Sequence, residues 1–203
     1  MTWQHRVSDY YEALLDKHGA RPEAIDASRE GQRLRFAVLM NSLGNLSRAT
    51  LLDVGCGYGA FKDYLVEYGQ WSVDYTGVDV CPRMIAAALD RRPNASFEVR
   101  DIFTQPLGHS FECVIASGLF QLDLGEKHVH DMLAAMWAHT GRVLAFNMLS
   151  AFASEKVEGE AYFEPAAIVR MANVLSPHII LRHDYRQNDF TVIIHRERQE
   201  IVG

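Results

Sequence analysis

Long apolar runs are missing from this chain. No stretch approaches the roughly 20 residues that cross a bilayer, so no membrane partner is expected. The N-terminus, Met1-Thr2-Trp3-Gln4-His5-Arg6, carries no apolar signal-peptide region. Cysteine is scarce: 3 residues, an odd number without framework spacing. That argues against a disulfide scaffold and for free thiols in a reducing, cytoplasmic setting. Positive charge is short, with 20 Lys and Arg against 26 Asp and Glu and a formal net charge of -6. Nucleic acid and anionic membranes demand basic faces, so neither is expected as the main partner. Internal repeats, low-complexity segments and interdomain linkers are absent as well. A length of 203 residues suits one α/β domain and is short for two, and a hydrophobic content of 48% supplies a sizeable core.

What is there centres on Leu51-Leu52-Asp53-Val54-Gly55-Cys56-Gly57-Tyr58-Gly59. Leu51 to Val54 reads as a buried strand, and Phe61, Tyr64, Leu65 and Tyr68 recur at helical spacing after it. Between them, glycine stands at every second position. Strand, glycine turn and helix bring a ligand against bare backbone N–H groups at a helix start. Glycine permits that close approach and the positive φ such turns often need. The run Gly55 to Ala60 also passes for a nicotinamide dinucleotide fingerprint. Asp53, two residues before the first glycine, favours another ligand, because it can face a positively charged amino group.

The match to Leu-Asp-Val-Gly-Cys-Gly-x-Gly resembles motif I of class I S-adenosylmethionine-dependent methyltransferases. The resemblance implies S-adenosylmethionine as cofactor, with its methionine part over Gly55, Cys56, Gly57, Tyr58 and Gly59. It also implies a doubly wound α/β fold: a mostly parallel seven-stranded sheet, its last strand antiparallel, with residues 1–46 as a helical cap and 47–203 as the core. The cap reads as helices over Val7–His18 and Ser28–Leu43. On the second, Ser28, Gln32, Arg35 and Phe36 share one region of the surface. Arg35 there either reaches the cofactor carboxylate or belongs to a solvated face.

Asp74 to Val80 is the second expected strand. Asp79 lies 20 residues beyond Gly59, the spacing of an acid that accepts from ribose hydroxyls. Pro82 opens a helix. By resemblance, Val80 and Met84 hold the adenine ring, and Asp101, with Ile102 beside it, meets the adenine amine. Strands are expected over Ala95–Val99 and Phe111–Ala116. The second runs into Ser117, Gly118 and Leu119, where the family's motif IV meets the methyl donor. Glu126–His139 reads as a helix broken by Gly141. His128 and His130 on it do not share a face, so they read as surface histidines and no metal site is expected. A strand over Arg142–Met148, a helix over Pro165–Leu175 and strands over Pro177–His183 and Phe190–His195 complete the sheet. The tail from Arg196 is expected to fray.

The function implied is methyl transfer from S-adenosylmethionine to a small-molecule oxygen or nitrogen acceptor. The Asn/Asp-Pro-Pro-Tyr/Phe motif of DNA and amide N-methyltransferases is missing after Ala116; Ser117 to Phe120 stand in its place. Phe120, Asn147, Tyr162 and Arg182 are the candidate substrate contacts. His183 is the candidate base, with an ordinary pKa near neutrality. Its strand register is open, and a slip of one residue would turn it away. A cyclase or lyase acting on the same cofactor, and a nicotinamide-dependent oxidoreductase, remain as alternatives.

Overall fold

The computed structural model describes residues 2–25 and 28–198. Seven strands form one sheet in the order β3-β2-β1-β4-β5-β7-β6. They are β1 (Thr50–Val54), β2 (Asp74–Asp79), β3 (Ser96–Val99), β4 (Phe111–Ala116), β5 (Thr140–Leu149), β6 (Ile179–Arg182) and β7 (Asp189–His195). All pairs are parallel except those of β7, which runs antiparallel to both β5 and β6. The helices are α1 (Trp3–His18), α2 (Arg29–Ser42), α3 (Ala60–Glu67), α4 (Pro82–Arg91), α5 (Glu126–Ala138) and α6 (Pro165–Asn173). The expected class, a mostly parallel seven-stranded sheet with the last strand antiparallel, is the observed one.

The central strands have both faces covered, which is why they are mostly apolar and do not alternate with polar residues. Alternate residues serve two cores. Leu51, Cys113, Ile115, Val143 and Ala145 point to one face, under Leu39 of α2 and Phe61 and Leu65 of α3. Leu52, Val54, Val114, Leu144 and Phe146 point to the other, under Leu133 and Met136 of α5 and Ile168 of α6. Each fully buried side chain of this size contributes roughly 1.5–3 kcal/mol relative to exposure.

The sheet order reverses between β1 and β4. Connections leave in opposite directions there, and a crevice opens beyond the carboxyl ends of the strands. The two N-terminal helices lie over this end.

Several boundaries differ from the expected ones for physical reasons. Helix α1 starts at Trp3, capped by the Thr2 hydroxyl, which accepts from the His5 N–H. Gly141 does not end α5. It lies inside β5, where pairing with β4 shifts register between Phe111 and Cys113. A Cβ on Gly141 would sit 3.0 Å from the Phe111 carbonyl oxygen, so that shift needs glycine. Arg196 does not fray: its guanidinium donates to the Thr140 and Trp137 carbonyls, at 2.7 Å each, and lies 4.2 Å from the Trp137 ring centre. The tail expected to fray reaches, at residues 199–203, outside the described residues. Among the described residues no helix is long and apolar enough to cross a membrane.

Candidate functional site

The turn after β1 is built from its glycines. Gly55, Gly57 and Gly59 have φ of 71°, 53° and 79°, all left-handed. Two of them also make room for the protein itself. A Cβ on Gly55 would come within 2.7 Å of Leu119 Cδ1, and one on Gly59 within 2.7 Å of Phe97 Cζ. Gly59 therefore packs on β3 and does not line the cavity.

The turn is tied to β2. The N–H groups of Gly55 and Cys56 donate to the Val78 carbonyl at 2.8 and 3.1 Å. The Asp79 carboxylate closes the arrangement: Oδ2 accepts from the Gly57 N–H and Oδ1 from the Cys81 N–H, both at 2.9 Å. One acid thus joins the glycine turn to the start of α4. Burial raises its pKa, and the backbone donors oppose that rise. Each oxygen keeps a lone pair for an outside donor.

A cavity opens above this turn. Its floor is Asp53 with Gly55, Cys56, Gly57 and Tyr58. Asp79, Val80 and Met84 form one end. Trp3, Val7 and Tyr11 of α1, and Gln32, Arg35 and Phe36 of α2, form the roof. The far wall is the segment after β4, with Ser117, Gly118, Leu119, Gln121 and Leu122, backed by His128 and Met132 of α5.

Asp53 is 2% exposed and accepts from the Tyr75 hydroxyl at 2.7 Å. Burial pushes its pKa up to about 7, the Tyr75 hydrogen bond opposes this, and the charge of Asp79 adds to it. A cation in the cavity would hold Asp53 ionised.

Arg35 is 7% exposed, so it is not part of a solvated face. Its Nη1 lies 3.4 Å from Oδ1 of the buried Asp189, and its Nε has no partner. A guanidinium that keeps a free donor at a cavity wall suits an anionic ligand group.

The cavity volume is about 80 Å3 and the cavity is open on one side. Pockets that hold drug-sized ligands run to roughly 300–1,000 Å3, so a shift of the roof would give a nucleoside more room. Helix α1 has no fully buried residue, which makes it the element of low cost to move.

Other expected site residues lie elsewhere. Asp101 accepts from Gln4 Nε2, the Phe103 N–H and the Thr104 hydroxyl, at 2.9, 2.9 and 3.1 Å. It fastens its own loop to α1 and does not line the cavity; Ile102 is core, 4% exposed. Asn147 stands behind the far wall. Its Oδ1 accepts from the Gly118 N–H at 2.9 Å and its Nδ2 donates to Ser117 Oγ at 3.1 Å. It shapes the wall and is not exposed in it.

Phe120 and Tyr162 line a second cavity, between the starts of α5 and α6. Leu119, Leu122, Leu124 and His128 line both cavities, so the two adjoin. The Tyr162 hydroxyl donates to Glu160 and accepts from the Val157 N–H at 2.9 Å.

Arg182 and His183 lie at neither cavity. Arg182 ends β6, the outer strand, and His183 follows it, four strand steps from β1. At about 4.8 Å per step that is roughly 19 Å across the sheet. Arg182 pairs with Asp184 at 2.7 Å, and His183 Nε2 lies 3.0 Å from the Gln187 carbonyl. Both side chains are engaged locally.

His128, by contrast, is not a surface residue. It is half-buried against Trp3 and Phe103, with ring centres 4.7 and 5.4 Å away, and burial lowers its pKa. His130 is exposed beside Asp131. No group of three or more metal-ligating side chains occurs among the described residues.

Sequence spacing alone passes over Gln121 and His128. Trp3, four residues before Val7, lies outside the helix expected over Val7–His18, yet it stands in the roof with Val7 and Tyr11.

Residues 51–142 match a family described as "Methyltransferase domain". A Mycobacterium tuberculosis protein named as a putative methyltransferase is 32% identical over 156 residues, covering 71% of this chain and 91% of that protein. Magnesium-protoporphyrin O-methyltransferase of Rhodobacter capsulatus is 30% identical over 127 residues, covering 56% of this chain and 55% of that enzyme. The crystal structure of magnesium protoporphyrin IX methyltransferase from Synechocystis, with bound S-adenosylmethionine, superposes with a TM-score of 0.75. It covers 97% of this chain and 98% of that one at 16% identity.

Proposed function

Since the chain belongs to the S-adenosylmethionine-dependent methyltransferases, we propose that it transfers a methyl group from S-adenosylmethionine to an oxygen or nitrogen of a small molecule. The observation that carries this reading is the Asp79 carboxylate. It closes the glycine turn with two backbone hydrogen bonds and still faces the cavity with free acceptor capacity.

The cavity residues suit the cofactor. Arg35 with its free Nε would take the carboxylate, and Asp53 the amino group. Gly55, Cys56, Gly57 and Tyr58 offer a floor of backbone for the methionine part. Asp79 would accept from the ribose hydroxyls, and Val80, Met84 and Leu119 would hold the adenine ring. Ser117 and Gly118 border the reacting end. When bound, the sulfonium supplies an already activated methyl group.

The chain then has three tasks: to orient the nucleophile, to exclude water and, for a hydroxyl or ammonium acceptor, to take a proton. His128 lines both cavities, which His183 does not, and this supports it as the group that takes the proton. Burial lowers its pKa, which favours the neutral ring that can accept.

The test is incubation of the protein with methyl-labelled S-adenosylmethionine and a metabolite extract. The expected result is S-adenosylhomocysteine with the label on a small molecule. Methylthioadenosine as the product, with no labelled acceptor, would show that the enzyme cleaves or cyclises the cofactor instead.

A further inference from the structure

Gln121 is a polar residue that the fold itself does not use. Its backbone is clamped: its carbonyl accepts from the Ala161 N–H at 2.7 Å, and Leu122 bridges to Glu160. Its side chain is 7% exposed, lines the first cavity, and makes no hydrogen bond among the described residues. Gly118, at φ 74°, leaves the space for it, since a Cβ there would lie 3.3 Å from Gln121 Oε1. The carboxamide faces the cavity with donors and an acceptor that no described protein group pairs, so a ligand there can supply the partners.

The second cavity begins beside it. Its volume of about 300 Å3 is within the range of ligand sites. Leu119, Leu122, Phe163, Ile168 and Met171 give it apolar walls. Asp123, Glu126 and Glu164 also line it, and no lysine or arginine does. These three residues are exposed, so their carboxylates border the chamber with no lysine or arginine beside them.

We propose that Gln121 binds the polar head of the methyl acceptor, whose apolar body fills the second cavity, and that this head is an amine or a hydroxyl and not a carboxylate. The inference rests on the methyl-transfer reading given above. A carboxamide both donates and accepts, which suits a hydroxyl or an amine at the point where the wall meets the reacting end. An anionic head at Gln121 would stand beside a chamber bordered by three carboxylates and by no lysine or arginine, and like charges disfavour such a ligand. An apolar body gains burial against Leu119, Leu122, Phe163, Ile168 and Met171.

Three probes with one ring system test this: 2-naphthylmethylamine, 2-naphthylmethanol and 2-naphthoate, each titrated into protein saturated with S-adenosylhomocysteine. The amine and the alcohol are expected to bind at least about tenfold more tightly than the carboxylate, a difference that one lost charge-assisted contact amounts to. Gln121→Leu is expected to weaken both by about tenfold or more, to leave S-adenosylhomocysteine affinity unchanged, and not to lower the melting temperature. A structural glutamine would give the opposite pattern, a lower melting temperature with probe affinity retained. Ala167→Trp, which fills the chamber, is expected to block the probes and spare S-adenosylhomocysteine. Naphthoate binding as tightly as the other two overturns the proposal. So do the absence of any probe binding at millimolar concentration, probe affinity that survives either substitution, and a lowered melting temperature for Gln121→Leu. If wild-type protein does not bind S-adenosylhomocysteine at all, the underlying methyl-transfer reading fails with it. If it binds that ligand and the probes fail, only the present inference falls.

Discussion

Gly57→Val is expected to leave no calorimetric binding of S-adenosylhomocysteine at millimolar ligand, while the far-ultraviolet circular dichroism stays that of the wild type. Gly57 has φ 53°, a region where a β-branched residue is a strong outlier. Its N–H is also committed to Asp79 at 2.9 Å, so the turn cannot relax without releasing that carboxylate. Strain of this kind costs on the order of 1–3 kcal/mol, and the new side chain stands in the floor of the cavity. The two cores beneath the sheet contain no atom of Gly57, so the fold survives. For a domain of this size the melting temperature is expected to fall by no more than about 10 °C. Near-native affinity in this variant would mean that the glycine turn is a packing feature and not a ligand floor.

Asp79→Ala is expected to weaken S-adenosylhomocysteine by about a hundredfold or more. Two hydrogen bonds from ribose hydroxyls to a carboxylate are lost. At roughly 1.5–3 kcal/mol each, with 1.4 kcal/mol per factor of ten, that amounts to at least two orders of magnitude. The structure adds a second effect that a strand-end acid alone would not have. The N–H groups of Gly57 and Cys81 lose their acceptor, so stability falls too, by about 2 kcal/mol or more. Asp79→Asn keeps one acceptor oxygen and is expected to fall between the two. Unchanged affinity in Asp79→Ala, measured alongside a lowered melting temperature, would confine Asp79 to holding the turn.

The parts legible in the sequence are those where one local cause decides. Leu51 to Val54 and Phe111 to Ala116 are buried apart from the exposed Glu112, and all their residues but Asp53 and Glu112 are apolar, which marks them as strands. The glycines at 55, 57 and 59 announce a turn that needs left-handed backbone. Asp79 stands at a strand end at the right distance from that turn.

What stayed hidden depends on how distant elements meet. Gly141 looks like a helix stop until the shifted pairing with Phe111 is seen. His128 and His130 look alike in sequence, yet α5 turns one toward Trp3 and the other to solvent. Asn147 lies at the expected strand end, but both atoms of its amide are taken up by the Ser117–Gly118 turn. His183 follows the carboxyl end of β6, at the same side of the sheet, and only the strand order shows how far from β1 it lies. Asp101 was expected at the ligand and instead ties its loop to a helix nearly a hundred residues earlier in the chain.

The central claim is that the cavity above the glycine turn binds S-adenosylmethionine. It is tested most directly by calorimetric titration of the wild-type protein with S-adenosylhomocysteine and, in a parallel cell, with a nicotinamide dinucleotide. The account predicts saturable binding of S-adenosylhomocysteine at one site per chain and no heat from the dinucleotide. Saturable binding of the dinucleotide with none of S-adenosylhomocysteine would contradict it.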